Sequence, residues 1–181
     1  PDVVILATGA KPYHPPLEGR EEGHVVDAWS VIRGEANVGT RVVIADWACD
    51  WIGLGVAEML AREGCNVRLA VNGRMAGEQL HAYTRDRWVG ELFKLGVQVV
   101  PYARLFGVDK DTVYFQHLSS DEPLIMEGVD TLVTATGHTG KRDLELALEG
   151  YPGEVYAIGD CQSARTAEEA ILEGMEISTA L

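Results

Sequence analysis

The stretch from Arg41 to Val71 restricts the fold of this chain more than any other. It opens with the apolar run RVVIA and passes through a short turn, DWACDW. A segment follows in which Val56, Ala57, Met59 and Leu60 recur at helical spacing, and NVRLAV closes the stretch. The pattern predicts a strand at Val42 to Ala45, a helix from about Gly53 to Glu63, and a second strand at Asn66 to Val71. Gly64 is placed to end the helix, because a glycine adopts the left-handed conformation of a helix C-terminus without steric cost. Strand, helix and strand within about thirty residues make a right-handed crossover onto a parallel sheet.

The turn carries the functional question. A dinucleotide-binding unit needs G-x-G-x-x-G here: one glycine for the bend, one for backbone contact with a pyrophosphate, and one for helix–strand packing. Counting from the strand places Asp46, Ala48 and Trp51 at the three positions; counting back from Gly53 places Ala48, Asp50 and Gly53 there. Neither register restores the fingerprint. A carboxylate about 4 Å from a phosphate charge costs about 4 kcal/mol at an effective dielectric near 20, so Asp46 or Asp50 pointing inward suppresses pyrophosphate binding. Trp47 and Trp51 add bulk, either against phosphate or in packing. After the second strand, where an acidic residue would hold the ribose of NAD, stand Asn72, Gly73 and Arg74. Arg74 is suited to a 2′-phosphate or to ordinary exposure at a turn.

At 181 residues, 46% of them hydrophobic, the chain is long enough for one good core and short for two complete domains. One domain with pieces of another is expected. The net charge of -13 argues against nucleic acid or an anionic membrane as partner. Three cysteines without a CxxC pair support neither a disulfide scaffold, a metal site nor a disulfide reductase, and fit a reducing cytoplasm. The five histidines are scattered without ligand spacing, so no metal or catalytic residue is assigned. No run approaches the length of a membrane helix and no signal-peptide pattern is present. The chain begins at Pro1 directly before an apolar run, as if cut from a longer protein.

Around the central stretch, Val3 to Ala7 reads as a fully buried parallel strand, and Lys11 to Pro16 as an extended proline-rich connector. Asp27 is placed to cap a short helix reaching Arg33. Tyr83 to Leu95 reads as a helix with Trp88, Leu92, Phe93 and Leu95 near one side, and VQVVP as a third strand. From Arg104 to Glu127 the period moves toward two, predicting an antiparallel meander. Thr131 to Gly137 is a fourth core strand and repeats the opening theme, ILATG against VTATG. One or two helical turns at Leu144 to Leu148, a strand at Glu154 to Ile158 and a turn at Gly159-Asp160 follow. In the final helix, Thr166 and Glu169 form a capping box, with Ala170, Ile171, Gly174, Met175 and Ile177 apolar.

The two ATG strands, the central crossover and VYAIGD followed by DCQSARTAEEAILEGMEIS together resemble the C-terminal nucleotide-binding region of one flavoprotein family. This is the trimethylamine dehydrogenase and 2,4-dienoyl-CoA reductase family, with its N-methylproline demethylase-like members. The resemblance implies an α/β architecture: a Rossmann-like three-layer NAD(P)-type domain with an antiparallel meander, plus part of an FAD-type domain. It implies the end of a first FAD half at 1–15, an inserted NAD(P)-type domain at 16–134 and a second FAD half at 135–181. It places Thr8, Gly9, Thr136 and Gly137 at the crossings near cofactor, and Gly159 and Asp160 at the flavin nucleotide. FAD or ADP is expected in the outer half. FMN and a 4Fe-4S cluster belong to an N-terminal barrel that is not part of this sequence, so the chain alone should not turn over substrate. The partners implied are that barrel, a protein electron acceptor and further copies of the full-length protein. Three readings follow: part of an amine dehydrogenase or demethylase with a degenerate NAD(P) site, an NADPH-dependent enoate reductase using Arg74, or a docking domain without a nucleotide site.

Overall fold

The computed structural model describes residues 1–181, which separate into two compact units: a central unit, His14–Thr136, and an outer unit made of Pro1–Tyr13 and Gly137–Leu181. The outer unit begins with β1 (Val3–Leu6) and β2 (Ala10–Pro12). The central unit then runs β3 (Val25–Asp27), α1 (Ala28–Ile32), β4 (Arg41–Asp46), α2 (Trp51–Arg62), β5 (Asn66–Val71), α3 (Ala82–Lys94), β6 (Gln98–Val100), β7 (Ala103–Asp109), β8 (Thr112–His117), β9 (Pro123–Met126) and β10 (Thr131–Ala135). The chain returns to the outer unit with β11 (His138–Gly140), α4 (Asp143–Ala147), β12 (Glu154–Ala157) and α5 (Ala167–Ala180).

The central unit is built on a parallel sheet in the order β3-β10-β4-β5-β6. Alternation along each strand splits its side chains between two cores. Val42, Ile44, Val67, Leu69, Val71 and Val133 face the helices and pack with Leu54, Val56, Ala57 and Leu60 of α2 and Leu92 of α3. Val43, Ala45, Ala70 and Leu132 face the other way, against Leu105, Val113, Phe115 and Met126 of the antiparallel sheet β7-β8-β9. The result is three layers: helices, parallel sheet, antiparallel sheet. An ion pair fixes the N-terminal end of the central strands. Arg41 donates to Asp130 at 2.6 Å, and the Arg41 and Thr40 donors hold the Asp130 carboxyl well below the usual carboxylate range.

Several local expectations change. α2 starts at Trp51, two residues before the position its apolar spacing suggests, because the Asp50 side chain accepts from the Ile52 amide and caps the helix there. On α3 only Leu92 is buried; Phe93 is 82% exposed, one position round the helix and off the core-facing stripe. The first two residues of the expected connector, Lys11 and Pro12, belong to strand β2, which pairs antiparallel with β11.

In the outer unit β1 pairs parallel with β12. The opening strand is not fully buried: Ile5 is 45% exposed, since a two-stranded parallel sheet buries little on its own. Its closing helix starts as the sequence dictates, with Thr166 and Glu169 exchanging the two hydrogen bonds of a capping box. None of α5 is buried, and Ile171 and Met175 lie open on the side its spacing marks as apolar. The Gly159-Asp160 turn is a single 3-10 turn, Gly159–Cys161.

Candidate functional site

The predicted site residues fall into two sets that the chain divides between its units. Asp46, Asp50, Gly53, Asn72, Arg74 and Thr136 belong to the central unit; Thr8, Gly9, Gly137, Gly159 and Asp160 belong to the outer one. The central set lies at the C-terminal edge of the parallel sheet. There β4 runs on to β5 on one side and is flanked by β10 on the other, and open α/β sheets bind ligands where the strand order reverses in this way.

Asp46 ends β4 and points into the protein. Strand alternation puts it on the face of Val42 and Ile44, and the residue is fully buried beneath the first turn of α2. Its Oδ1 accepts from the Cys49 amide at 2.9 Å, while its Oδ2 is buried with no hydrogen-bond partner. Burial pushes the carboxyl up to about 7, against the opposing pull of the Cys49 and Ala48 amides and with added repulsion from Asp50. Gly53 lies directly above: a Cβ there would meet the Asp46 carboxyl carbon at 2.4 Å. Gly53 therefore provides the close helix–strand approach of the third fingerprint glycine, and Asp50 stands at the second position. Asp50 places a carboxylate on the Ile52 amide at 2.8 Å, so an anion at this helix start meets negative charge already in place.

Cys49, between these acids, adopts φ 50 and is buried; burial and the nearby Asp46 push its thiol up to about 12, which makes it a poor nucleophile. Trp47 turns to the opposite face of the sheet and packs into the core beneath the antiparallel layer, with its Nε1 left without a partner. Trp51 is 62% exposed at the start of α2. The Asn72 amide donates to the Asp46 carbonyl at 2.8 Å, and its side-chain oxygen is buried and unpartnered. Arg74 is held by Glu78 at 2.6 Å. Thr136 is buried just after β10.

The residues of the central set do not fit a pyrophosphate: at the helix start the Asp50 carboxylate takes the place of the second glycine, above the buried Asp46. The orientation of Asp46, inward or outward, was open from the turn alone. The deciding signal lay in the strand, where Val42, Ile44 and Asp46 share a parity.

In the outer unit, Thr8 Oγ1 donates to the Lys141 carbonyl at 2.7 Å and the Lys141 amide donates to the Gly9 carbonyl at 2.9 Å. Gly9 and Gly137 hold φ 72 and φ 87, which accounts for glycine at both ATG segments in terms of backbone geometry. The Gly159 amide donates to Glu173 at 2.5 Å, and Asp160 accepts weakly from the Arg165 amide at 3.3 Å. No group of three or more His, Cys, Asp or Glu side chains is placed to hold a metal ion, and no helix is long and apolar enough to cross a membrane.

A parallel sheet sandwiched between helices and an antiparallel layer, with a second unit assembled from both chain ends, defines a mixed α/β protein. No family model matches the chain. A probable N-methylproline demethylase of Rhizobium meliloti (strain 1021) is 37% identical over 122 residues, covering 67% of this chain and 18% of that protein. The structure of a 2-naphthoyl-CoA reductase in complex with 2-naphthoyl-CoA superposes with a TM-score of 0.84 at 26% identity, over 96% of this chain and 26% of that one. Histamine dehydrogenase from Rhizobium sp. 4-9 shares the fold at a TM-score of 0.91 and 18% identity, over 99% of this chain and 30% of that one. The chain belongs to the trimethylamine dehydrogenase and 2,4-dienoyl-CoA reductase family of flavin oxidoreductases and corresponds to its C-terminal region. It spans between 18% and 30% of the length of these three proteins.

Proposed function

We propose that this chain is the nucleotide-domain part of a flavin-dependent oxidoreductase acting on a methylated or similar amine, with a central domain that has lost NAD(P) binding. The observation that carries the reading is the β4–α2 turn, where the helix-capping Asp50 carboxylate stands in place of the second glycine above the buried Asp46. The likeness to an N-methylproline demethylase supports the amine as substrate class. In this reading residues 14–136 are the inserted Rossmann-like NAD(P)-type domain, with β7-β8-β9 as its meander, and the outer unit is part of an FAD-type domain. Thr8, Gly9, Gly137, Gly159 and Asp160 would border FAD or ADP there. FMN and a 4Fe-4S cluster would lie in a barrel on the complete polypeptide, which would pass electrons to a protein acceptor and assemble as a homo-oligomer in the cytoplasm.

Calorimetric titration of the complete polypeptide with NADH and NADPH tests this: neither should bind, and micromolar affinity for either would overturn it. A second reading draws on the likeness to a CoA-thioester reductase. There the substrate is an enoyl or aryl thioester, and Arg74 receives the 2′-phosphate of NADPH. Selective loss of NADPH binding in Arg74→Ala would support that reading, and indifference to the change would remove it.

A further inference from the structure

The turn after β5 contains an arrangement that the loss of pyrophosphate binding leaves unexplained. Three donors of Arg74 converge on one carboxylate: its backbone amide on Glu78 Oε2 at 2.9 Å, and its Nε and Nη2 on Oε1 at 2.7 Å and 2.6 Å. Gly73 precedes them, and a Cβ at that position would lie 2.4 Å from Glu78 Oε2. Only glycine lets an oxyanion approach the backbone this closely. A backbone amide, a guanidinium fork and a glycine form a cradle for a tetrahedral or trigonal oxyanion. In this structure the Glu78 carboxylate stands in for that oxyanion.

Next to the cradle is a cavity of about 700 Å³, walled by Met75, Val89, Phe93, Val99 and Pro101, with Arg85 at its side. These walls explain Phe93. At 82% exposure it contributes nothing to the core of α3, yet it presents an aromatic face to the cavity. Arg85 pairs with its own neighbour Asp86, at 3.0 Å, which also lines the cavity, and its charge reaches Glu78 as well. Apolar and aromatic walls beside two guanidinium groups complement a planar base that carries a phosphate.

We infer that Glu78 is a gating residue that closes a seat for an adenosine bearing a ribose phosphate, by holding its own carboxylate on Arg74 and Gly73. The inference rests on the reading of the central unit as a dinucleotide-type domain that no longer binds its ligand. It adds that the ribose-phosphate side of the site keeps its donors and is shut by one side chain. Where the β4–α2 turn has lost its glycine and acquired acids, this side remains built.

The test is binding of 2′,5′-ADP, with 5′-AMP as the probe lacking a 2′-phosphate, to the complete polypeptide and its Glu78→Gln and Glu78→Ala variants. Glu78→Gln retains a hydrogen-bonding group in the turn, so a folding defect in Glu78→Ala would not obscure the result. Both variants should bind 2′,5′-ADP at least about tenfold more tightly than the unmodified protein, with 5′-AMP unchanged, and Arg74→Ala in the Glu78→Ala background should abolish the gain. No gain in either variant would overturn the inference while leaving the loss of NAD(P) binding intact. Tight binding of 2′,5′-ADP by the unmodified protein would overturn both.

Discussion

Replacing Asp46 by asparagine should remove most of the dependence of the protein's stability on pH near neutrality. Burial beneath α2 pushes the Asp46 carboxyl up to about 7 in the folded chain, well above the ordinary aspartate value of about 3.9, because it disfavours the charge more than the Cys49 and Ala48 amides favour it. Between those two values the folded state holds a proton that the unfolded state has released. Stability conferred by the neutral carboxyl is therefore complete below about pH 4 and declines as pH rises, with no further loss above the folded value. One unit of displacement corresponds to about 1.4 kcal/mol, so the protein should lose about 2.5 kcal/mol between pH 5 and pH 8. Asparagine keeps an oxygen for the Cys49 amide and has no proton to lose. The assay is urea unfolding across that range, followed by tryptophan fluorescence, with the variant subtracted from the parent so that other carboxylates cancel. A difference that falls by about 2.5 kcal/mol from pH 5 to pH 8 supports the reasoning. A flat difference would mean that Asp46 is solvated and ionised alike in the folded and unfolded states across this range, and would refute it.

Gly53→Ala should cost about 1–3 kcal/mol, since the new methyl group would overlap the Asp46 carboxyl, and an Asp46→Gly background should restore most of it in the same unfolding assay. On α3 the two neighbouring residues should behave oppositely: Leu92→Ala should lower stability by about 2–5 kcal/mol, whereas Phe93→Ala should stay within about 0.5 kcal/mol. Thr166→Ala removes the capping box and should destabilise the start of α5 by about 1 kcal/mol, seen as faster amide exchange at Glu168 and Glu169.

How far the sequence reveals the structure depends on how local each decision is. NVRLAV reads as a strand and is one, with the same limits, because alternation, Gly64 and the preceding helix agree within a short window. The capping box of α5 is equally local. Strand β3 is not legible: VVD reads only as the approach to a helix cap, and it becomes a strand because β10, about a hundred residues later, offers it an edge. The pairing of β2 with β11 has the same origin, since nothing near Ala10–Pro12 announces His138–Gly140. The candidate site divides similarly. Asp46 and Asp50 stand out by breaking a local fingerprint, and strand parity supplies the orientation of Asp46. Glu78 carries no local signal, because it meets Arg74 and Gly73 across a turn with no periodicity.

The position of β10 also fixes an order of events. It lies between β3 and β4 in the sheet but follows both in the chain, with the antiparallel layer in between. During synthesis β4, α2 and β5 can meet as soon as they emerge, and β7 to β9 can fold as local hairpins. One edge of β4 and all of β3 must wait for Ala135. Until then a long, apolar parallel edge is open to other chains. The last strand of the central unit to leave the ribosome is the one that closes its sheet, so truncation just before Thr131 should yield a protein that aggregates rather than a shorter domain.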